Sequence, residues 1–515
     1  MAGEQAAWKR PTLQRWWSAL NSGYFDRLTT PWTRTIALTL LVFTLAFVAY
    51  RLTGQGPPTA NGPLRLADAF LHGRLDIANG ADLPWIDWAF YEGKYYILEP
   101  PMMAIVVLPG VLVYGLDLNQ TLVSIVIGGL TAVVVFRLMR GLSEQFSVQV
   151  WLTLLLIFGT VYWWNAVNGG IWYFAHALSV FFLFLAVYET LVAKRPFTAG
   201  FFLGAAYLAR LPTILAFPFF LIMFSDKWWR PKPETTEVSL LARIDLKPLL
   251  QLGSGVGILV LLSFVYNYLR FEDPLNTGYS VWADYTSGND PGLKLMLAQG
   301  LFDVSYVSRT IPLVFQAVPV FSSHAPYVIP SWSGMAVWAT TPAFLYALFA
   351  GVRNRAVIVA GAAMLTVTIA VLIFSARGLS WFGLSYAADY DFQVRLFSLD
   401  TLYDLSVLPF LLLIAYGIYV GLRGNKLVLA CWSAIIPMAI VHFLYPITGW
   451  PQFGYRYALD YYPFLFLLTW MGMGNRIRWH HMILIAASVA INLAGVLWIY
   501  KFDPNAVGGL RWVSW

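Results

Sequence analysis

A short stretch between residues 51 and 99 holds an unusual number of ionisable side chains. Its carboxylates are Asp68, Asp76, Asp82, Asp87, Glu92 and Glu99. Its basic groups are Arg65, His72, Arg74 and Lys94, and several tyrosines and tryptophans lie among them. Carboxylates can accept the proton of a hydroxyl group, and aromatic rings can pack against the faces of sugars. These residue types together indicate acid–base chemistry on a polar substrate.

The chain that must position these residues is strongly apolar. Of its 515 residues, 59% are hydrophobic and only 11% are charged, and the mean hydropathy is +0.64. Apolar stretches of the roughly 20 residues needed to cross a bilayer recur between Ile36 and Tyr500. The composition predicts an all-α polytopic membrane protein and excludes an ordinary soluble domain. The net charge of +7 comes mainly from the short breaks between apolar stretches, which gives no indication of nucleic-acid binding.

The distribution of charge predicts a topology. Residues 1–34 are basic and lack the pattern of a cleaved signal, so they are predicted to be a cytoplasmic N-terminal segment. Residues 35–515 then form one transmembrane domain of about 13 helices if basic breaks stay inside. The predicted outer loops are residues 51–119, 165–176, 270–331, 375–404 and 448–460. The first of these, called the first loop below, is the candidate catalytic loop.

Two apolar segments are too irregular for a simple crossing. Residues 101–114 are short and contain Pro109 and Gly110, so we expect a helix at the outer membrane interface. Residues 197–224 are interrupted by Arg210 and Pro212, and a single crossing would place several basic residues outside. We therefore expect two short half-helices that meet near Arg210 at the outer side.

Within the first loop, residues 66–77 have apolar side chains at helical spacing. Asp68 and His72, four residues apart, share another face. The pattern predicts a short amphipathic helix that lies on the bilayer and aims Asp68 at a site. The alternative is a solvated helix on which Asp68 and His72 pair with each other.

Residues 86–101 place aromatic rings among charged groups, and Gly93 permits a tight turn. Asp87 is a candidate base in this segment. A sugar or lipid-phosphate site would explain the pattern, and so would the aromatic belt that occurs at any bilayer interface. The candidate substrate-binding residues here are Tyr91, Lys94, Tyr95 and Glu99.

Arg210 is informative because an ionised guanidinium within an apolar stretch costs roughly 2.5 to 3.5 kcal/mol on insertion scales. An anionic partner should offset this cost. A phosphate group would do so through two parallel hydrogen bonds, and the alternative is a structural pair with an acidic neighbour such as Glu99.

Arg456 and Asp460 lie four residues apart near the outer end of a predicted helix, so they are expected to share a face. Either they form a buried structural pair, or Arg456 binds phosphate while Asp460 orients it. Tyr455 belongs to the same predicted phosphate site. In the predicted outer loop before residue 177, Trp172, Tyr173 and His176 are candidates for substrate contact or for a capping role.

The other motifs in the sequence do not indicate a specific function. Asp389 and Asp391 spell a DxD pattern, which is short enough to arise by chance. The six histidines show no metal-ligand spacing, and no phosphate loop, dinucleotide fingerprint or nucleophile elbow is present. Cys431 is the single cysteine and lies in an apolar run, so no intrachain disulfide is expected. No tightly bound cofactor and no metal site is predicted, although the chemistry does not exclude a divalent ion.

The layout of one helix, an acidic outer loop, a Pro-Pro turn and then many helices resembles the GT-C superfamily of polytopic glycosyltransferases. The resemblance rests on LADAFLHGRLDI at 66–77, on the segment from 87 to 109, and on WYFAHALS, LARLPTILAFPFF, GMAVWATTPAFL and QFGYRYALDYYPFL further along. It is similar to the bacterial branches that include protein O-mannosyltransferases and aminoarabinose transferases. Such enzymes transfer sugar from a polyprenyl phosphate at the outer membrane face with inversion, using a first-loop aspartate.

Carried over by position, the resemblance implies a phosphate-binding cation at Arg210 and a catalytic carboxylate in the first loop. Several branches have that carboxylate where this chain has Asn61, and an amide cannot act as a base. The aminoarabinose branch also has Lys where this chain has Glu99. The base is therefore expected at Asp87 or Asp68, with Asp76 as the third candidate.

The expected function is transfer of a sugar from a polyprenyl-phosphate donor to a hydroxyl of a glycan, glycolipid or protein acceptor. The expected location is the bacterial inner membrane, with the N-terminus inside and the site facing outward. A transporter or lipid flippase is the alternative, and it predicts ionisable residues deep within several helices. A non-enzymatic assembly subunit is a third possibility, and it predicts no shared site for the first-loop carboxylates and Arg210.

Overall fold

The computed structural model describes residues 31–54, 56–58, 60–78, 87–225, 245–281, 291–321, 328–330, 334–381, 405–449 and 452–501. The first membrane helix is α1 (Pro31–Thr53). The first loop contains α2 (Gly62–Leu71), β1 (Trp88–Tyr91), β2 (Lys94–Ile97) and α3 (Met102–Tyr114). Asp82, the DxD pattern at Asp389 and Asp391, and most of the predicted loop 375–404 lie outside the described residues.

The remaining regular structure is helical apart from one further two-stranded hairpin in the described part of the chain. The next helices are α4 (Gln120–Leu142), α5 (Phe146–Phe158), α6 (Tyr162–Asn168), α7 (Ile171–Tyr188), α8 (Pro196–Ala209), α9 (Phe217–Phe224) and α10 (Leu246–Phe271). They are followed by α11 (Pro291–Gln299), α12 (Val307–Phe315), β3 (Val320–Phe321), β4 (Val328–Ile329) and α13 (Val337–Thr340). The last helices are α14 (Arg355–Trp381), α15 (Leu408–Leu422), α16 (Lys426–Phe443), α17 (Tyr462–Met473) and α18 (Trp479–Lys501).

The protein is a helical membrane protein. Among the described residues, 7 helices are long and apolar enough to cross a bilayer, or 8 if α5 and α6, which meet at a 54° bend, form one crossing. Shorter apolar helices account for much of the difference from the expected 13. Pro196–Ala209, Leu211–Phe224 and Leu408–Leu422 are each below the length of an ordinary transmembrane helix. The expected number of crossings is thus not confirmed.

The helices differ in how much of their surface other helices cover. In Thr35–Thr53 only 11% of the apolar window is buried inside the protein, whereas in Ile171–Ala193 the share is 72%. The first is a peripheral helix with a surface suited to lipid, and the second lies at the centre of the bundle. Helices α8 and α10 approach each other very closely, because a Cβ atom at Gly200 would lie 2.2 Å from Leu252 O.

Hydrogen bonds between helix ends define two sides of the bundle. Gln120 Nε2 donates to Gly169 O at 2.6 Å, and the backbone of Ile171 donates to Ala60 O at 3.1 Å. These bonds place the start of α4, the end of α6 and the start of α7 beside the first loop, on what we call the first-loop side. On the opposite side, Lys426 Nζ donates to Met223 O at 3.0 Å.

Both irregular apolar segments form short helices, as expected. Helix α3 has 13 residues, and the chain on either side of it lies on the first-loop side, so α3 does not cross the bundle. Residues 196–224 form α8, a 3-10 helix (Leu211–Ala216) and α9, with extended backbone at Arg210. Arg210 therefore occupies the turn between two short helices, as the charge distribution and Pro212 predicted.

The β1–β2 hairpin brings two carboxylates of the first loop together. Glu92 and Gly93 both have positive φ, 48° and 75°, as a two-residue turn of a right-twisted hairpin requires. The register pairs Trp88 with Ile97, so Asp87 and Glu99 both lie at the base of the hairpin. The aromatic segment that contains them is thus a folded β-hairpin.

Candidate functional site

A buried ion pair between distant parts of the chain forms the centre of the candidate site. Arg210 Nε donates to Asp460 Oδ1 at 2.8 Å, and Arg210 Nη2 donates to Asp460 Oδ2 at 3.0 Å. Asp460 is fully buried in the 3-10 helix Arg456–Tyr461. This planar two-bond geometry is the strongest form of an arginine–carboxylate contact. The anionic partner expected for Arg210 is therefore Asp460, and not Glu99.

Two buried histidines approach the same carboxylate. His442 Nε2 lies 3.1 Å from Asp460 Oδ2, and His176 Nδ1 lies 3.5 Å from Asp460 Oδ1. The ring of Tyr457 packs between these groups, with centroids 5.4 Å from His442 and 5.8 Å from His176. The guanidinium of Arg210 lies over the same ring at 5.2 Å. Asp460 is thus held from three directions, which fixes the first-loop side ends of α7, α8 and α16 relative to one another.

Arg456 is the second buried cation of the site, and its environment differs from that of Arg210. It is only 5% exposed, and it lies 4.7 Å from the ring centroid of Tyr173 and 5.7 Å from that of Tyr457. No carboxylate forms an ion pair with it in the described part of the chain, and its Nε and Nη1 atoms have no hydrogen-bond partner there. Donor atoms in this state can bind an anion.

Asp87 is held by a residue from the central helix. Trp172 Nε1, in the first turn of α7, donates a hydrogen bond to Asp87 Oδ2 across 85 residues of sequence. The bond therefore fixes the Asp87 carboxylate relative to the start of α7.

Glu99 connects the first loop to the two buried arginines. Burial and the neighbouring Asp87 carboxylate raise the pKa of Glu99 to about 8, against the opposing charges of Arg210 and Arg456. The Oε2 atom of Glu99 is buried and has no hydrogen-bond partner among the described residues. Asp87, Arg210 and Arg456 thus all lie close enough to act on Glu99, and a pKa of about 8 favours the protonated form of Glu99 at pH 7.

Tyr279 belongs to the same cluster. Burial raises the pKa of Tyr279, and the charges of Glu99 and Asp87 raise it further, whereas Arg210 acts in the opposite direction. The hydroxyl of Tyr266 is buried nearby, where the charge of Glu99 acts on it. Two neutral tyrosine hydroxyls therefore flank the carboxylates.

The remaining first-loop candidates lie in different surroundings. Asp68 is on a helix, as predicted, but that helix spans Gly62–Leu71 and not residues 66–77. The side chain of Asp68 is 34% exposed and lies 3.5 Å from the 64% exposed His72. Asp76 lies 3.9 Å from Arg74. Both contacts are those of a solvated surface, which was the alternative interpretation for Asp68.

Lys94 is exposed at the tip of the hairpin, opposite Tyr91 in the register. Tyr91 packs against Phe271, and Tyr95 packs against Phe90, with ring centroids 5.7 and 4.9 Å apart. These three residues have contacts that support the hairpin. Tyr455, in contrast, is buried beside Tyr457 at 5.8 Å, and its hydroxyl has no hydrogen-bond partner in the described regions.

Two expectations about local structure are wrong. Trp172 and His176 are in the first turns of helix α7 and not in a loop, because α6 continues to Asn168 and only Gly169 and Gly170 separate the two helices. Asp460 pairs with Arg210 and not with Arg456. Residues 456–461 form a 3-10 helix, in which positions i and i+3 align, so residues four apart point in different directions.

Several site residues were not predicted from the sequence. His442 ends an apolar helix and gave no sign of its partner, and Tyr457 resembled an ordinary aromatic core residue. Arg270 is buried at the end of α10, where it donates to Ile97 O at 2.9 Å and stacks on Tyr266 at 4.0 Å. It therefore anchors strand β2 to the bundle. An arginine within an apolar stretch was the signal that identified Arg210, and Arg270, near the end of the apolar helix α10, offered a similar signal.

An apolar cavity begins beside the polar cluster. Its volume is about 340 Å³, and it lies between α12, α13, α15, α16 and α17. Tyr461, which follows Asp460 in the chain, contributes to its wall together with Phe443, Phe410 and Trp338. Leu348 and Trp432 line it further toward the middle of the bundle. Its lining is almost entirely apolar, so the cavity can accept part of a hydrocarbon chain.

No group of three or more metal-ligating side chains is found within the described ranges. Comparison of the chain with protein-family models, with curated proteins and with solved structures finds no match. The geometry of the site and the chemistry of its residues are therefore the basis for a functional assignment.

Proposed function

We propose that the protein is an inverting membrane glycosyltransferase of the GT-C type, which moves a sugar from a polyprenyl-phosphate donor to a hydroxyl acceptor. The observation that carries this proposal is that Asp87, Glu99, Arg210 and Arg456 come together at the first-loop side, where Trp172 holds Asp87, Tyr173 packs against Arg456, and the other three charges act on Glu99. A carboxylate and an arginine without an acidic partner are the two groups that such a reaction needs.

The proposed reaction is a single displacement. The acceptor hydroxyl gives its proton to Asp87 as its oxygen attacks the anomeric carbon of the sugar. The bond from that carbon to the phosphate oxygen breaks, and the electron pair leaves with the lipid phosphate. Arg456 stabilises the charge that develops there. Attack opposite the leaving group inverts the configuration at the anomeric carbon.

The structure suggests different roles for the two arginines. Arg210 uses Nε and Nη2 on Asp460, so we assign it to holding the site together and adding positive potential. Arg456 has donor atoms available and becomes the principal phosphate ligand, with Tyr173 and Tyr457 packed against its guanidinium. Asp87 is the preferred base over Asp68, because Asp87 lies in the cluster and Asp68 pairs with exposed His72.

The apolar cavity supports a lipid-linked donor. With the phosphate at Arg456, the prenyl chain would pass Tyr461 and enter the cavity. We place the protein in the bacterial inner membrane with the first-loop side outward and the N-terminus cytoplasmic, since the basic breaks lie on the opposite side. The acceptor is a glycan, glycolipid or protein hydroxyl reached from the first-loop side.

A transporter would show carboxylates spaced through the depth of the bundle. In the described part of the chain, the carboxylates associated with the apolar helices lie at or beyond helix ends, as Glu144, Glu189 and Asp245 illustrate. Asp460 joins the cluster on the first-loop side. This distribution favours chemistry at one side over passage across the membrane.

The test is a transfer assay with purified protein and synthetic polyprenyl-phosphate sugars, in which release of polyprenyl phosphate is measured. Asp87→Asn should lower kcat by roughly 100- to 10,000-fold, since it removes the base. Arg456→Ala should lower kcat/KM by about 100- to 1,000-fold, as expected when a group that stabilises developing charge is lost.

Arg423→Ala is a matched control, because Arg423 is an exposed arginine stacked on Tyr419 at 5.8 Å on the opposite side. Its rate should equal that of the wild type. If Asp87→Asn and Arg456→Ala also release lipid phosphate at the wild-type rate, the site is wrongly placed. If no donor in the panel reacts, the transferase class is wrong, and uptake of the same lipids into vesicles becomes the next measurement.

A further inference from the structure

Glu99 combines properties that the proposed reaction does not use. It lies at the base of the β1–β2 hairpin beside Asp87, its Oε2 atom is buried, and that atom has no hydrogen-bond partner among the described residues. Buried polar atoms normally have partners, so an atom in this state points to a ligand group. The charges of Arg210 and Arg456 also act on Glu99. Glu99 therefore lies near both the base and the predicted phosphate ligands.

We propose that Glu99 binds the lipid phosphate as a neutral carboxylic acid, donating its O–H to a phosphate oxygen while Arg456 contacts the same group. This inference rests on the proposed function and identifies Glu99 as a pH-sensitive phosphate-binding residue of the same site. An ionised Glu99 would repel the phosphate, so the affinity of the site for lipid phosphate depends on the proton of Glu99. Glu99 keeps that proton during the reaction, and Asp87 takes the proton of the acceptor.

The groups that face Glu99 determine when it ionises. Asp87 raises its pKa, Arg210 and Arg456 lower it, and burial is the largest influence, with the pKa at about 8 as the result. Tyr266 and Tyr279 are the other titratable groups on which Glu99 acts, and burial raises the pKa of Tyr279 further above its ordinary range. Between pH 7 and 9, Glu99 is thus the group expected to change charge.

The experiment is binding of a fluorescent polyprenyl phosphate, without any sugar, to the purified full-length protein between pH 7 and 9. The second pKa of a phosphate monoester is about 6, so the ligand keeps its charge over this range. The affinity of the wild type should fall by about tenfold or more as Glu99 loses its proton. Glu99→Gln, which keeps an N–H donor and cannot ionise, should bind with an affinity that does not change with pH.

Glu92→Gln is the matched control, because Glu92 is an exposed glutamate at the turn of the same hairpin. It should show the wild-type fall in affinity. The inference is overturned if Glu99→Gln loses affinity with pH as the wild type does, or if the wild type binds equally well throughout. A pH-dependent wild type and a pH-independent Glu99→Gln would uphold the inference even if no sugar were transferred, and in that case only the transferase proposal would fail.

Discussion

The two buried arginines of the site have opposite surroundings. Arg210 donates two hydrogen bonds to Asp460, which in turn lies close to His176 and His442. Arg456 lies against aromatic rings and has donor atoms without partners among the described residues. A cation paired with a buried carboxylate has a structural role, whereas a buried cation with donor atoms that lack partners can bind an anion. This difference separates the supporting part of the site from the reacting part.

The same contrast applies to the carboxylates. Asp460 is fully buried and fully engaged, and it connects helices that are far apart in the sequence. Asp87 and Glu99 lie on a hairpin that packs onto the bundle through Arg270 and Ile97. The first group holds the helix ends in position, and the second group presents acids to the space between them. Substitution of Asp460 should therefore lower the stability of the protein, whereas substitution of Asp87 or Glu99 should change its activity or its ligand binding.

The largest effect is expected for Asp460→Ala. This change leaves Arg210 buried without its carboxylate, and removal of one partner of a buried ion pair destabilises a protein by about 3 to 5 kcal/mol. We expect a large drop in the thermal unfolding temperature of the detergent-solubilised protein, together with loss of monodisperse material. The double variant Arg210→Met with Asp460→Leu should recover part of that stability, because neither charge then remains buried.

The assignment of a structural role to Arg210 and a phosphate-binding role to Arg456 would be wrong if Asp460→Ala unfolded at the wild-type temperature and yet lost activity. Asp460 would then act on the substrate, and Arg210 would be released to bind phosphate. Arg456→Ala should lose activity without losing stability. The substitution removes a cation that has no acidic partner, so the unfolding temperature of the variant should remain near that of the wild type.

A smaller effect is expected for Trp172→Phe, which keeps an aromatic ring and removes the donor to Asp87 Oδ2. The carboxylate loses one hydrogen bond, so kcat should fall by roughly tenfold. The acidic limb of the pH–rate profile should also move to higher pH, because the lost bond favoured the ionised form. A purely structural role for Trp172 would not move that limb.

Trp163→Phe is the control for this change. The indole of Trp163 also donates a hydrogen bond, but to Thr53 Oγ1 at 3.1 Å and not to a carboxylate. Its pH–rate profile should match that of the wild type. If both tryptophan variants shift the profile equally, the bond to Asp87 has no specific role.

The sequence predicted those features that local rules determine. Arg210 and Pro212 interrupt an apolar run beside basic residues, and steric and charge rules were enough to place a turn there. Gly93 permits a tight turn, and the turn of two residues that formed determines which residues meet across the hairpin. The class of protein followed from composition alone.

Contacts between distant segments could not be predicted in this way. Asp460 and Arg210 are 250 residues apart, and no periodic pattern connects them. The rule that residues four apart share a face suggested Arg456 as the partner of Asp460, but that rule requires an α-helix, and the segment is a 3-10 helix. The number of crossings was also difficult to predict, because short apolar helices that end inside the bundle have the same composition as full crossings.

The smallest effect is expected for Asp68→Asn, which decides between the two candidate bases. Asp68 contacts His72 on a face where both side chains are partly exposed, and such a pair contributes about 0 to 1 kcal/mol. Stability and transfer rate should therefore remain near those of the wild type, while Asp87→Asn abolishes most of the activity. Both variants make the same change of an acid to an amide in the same loop. A difference between their transfer rates therefore reflects the position of the carboxylate and not the type of substitution. A loss in Asp68→Asn as large as that in Asp87→Asn would move the base to α2 and remove the distinction between solvated and buried acids.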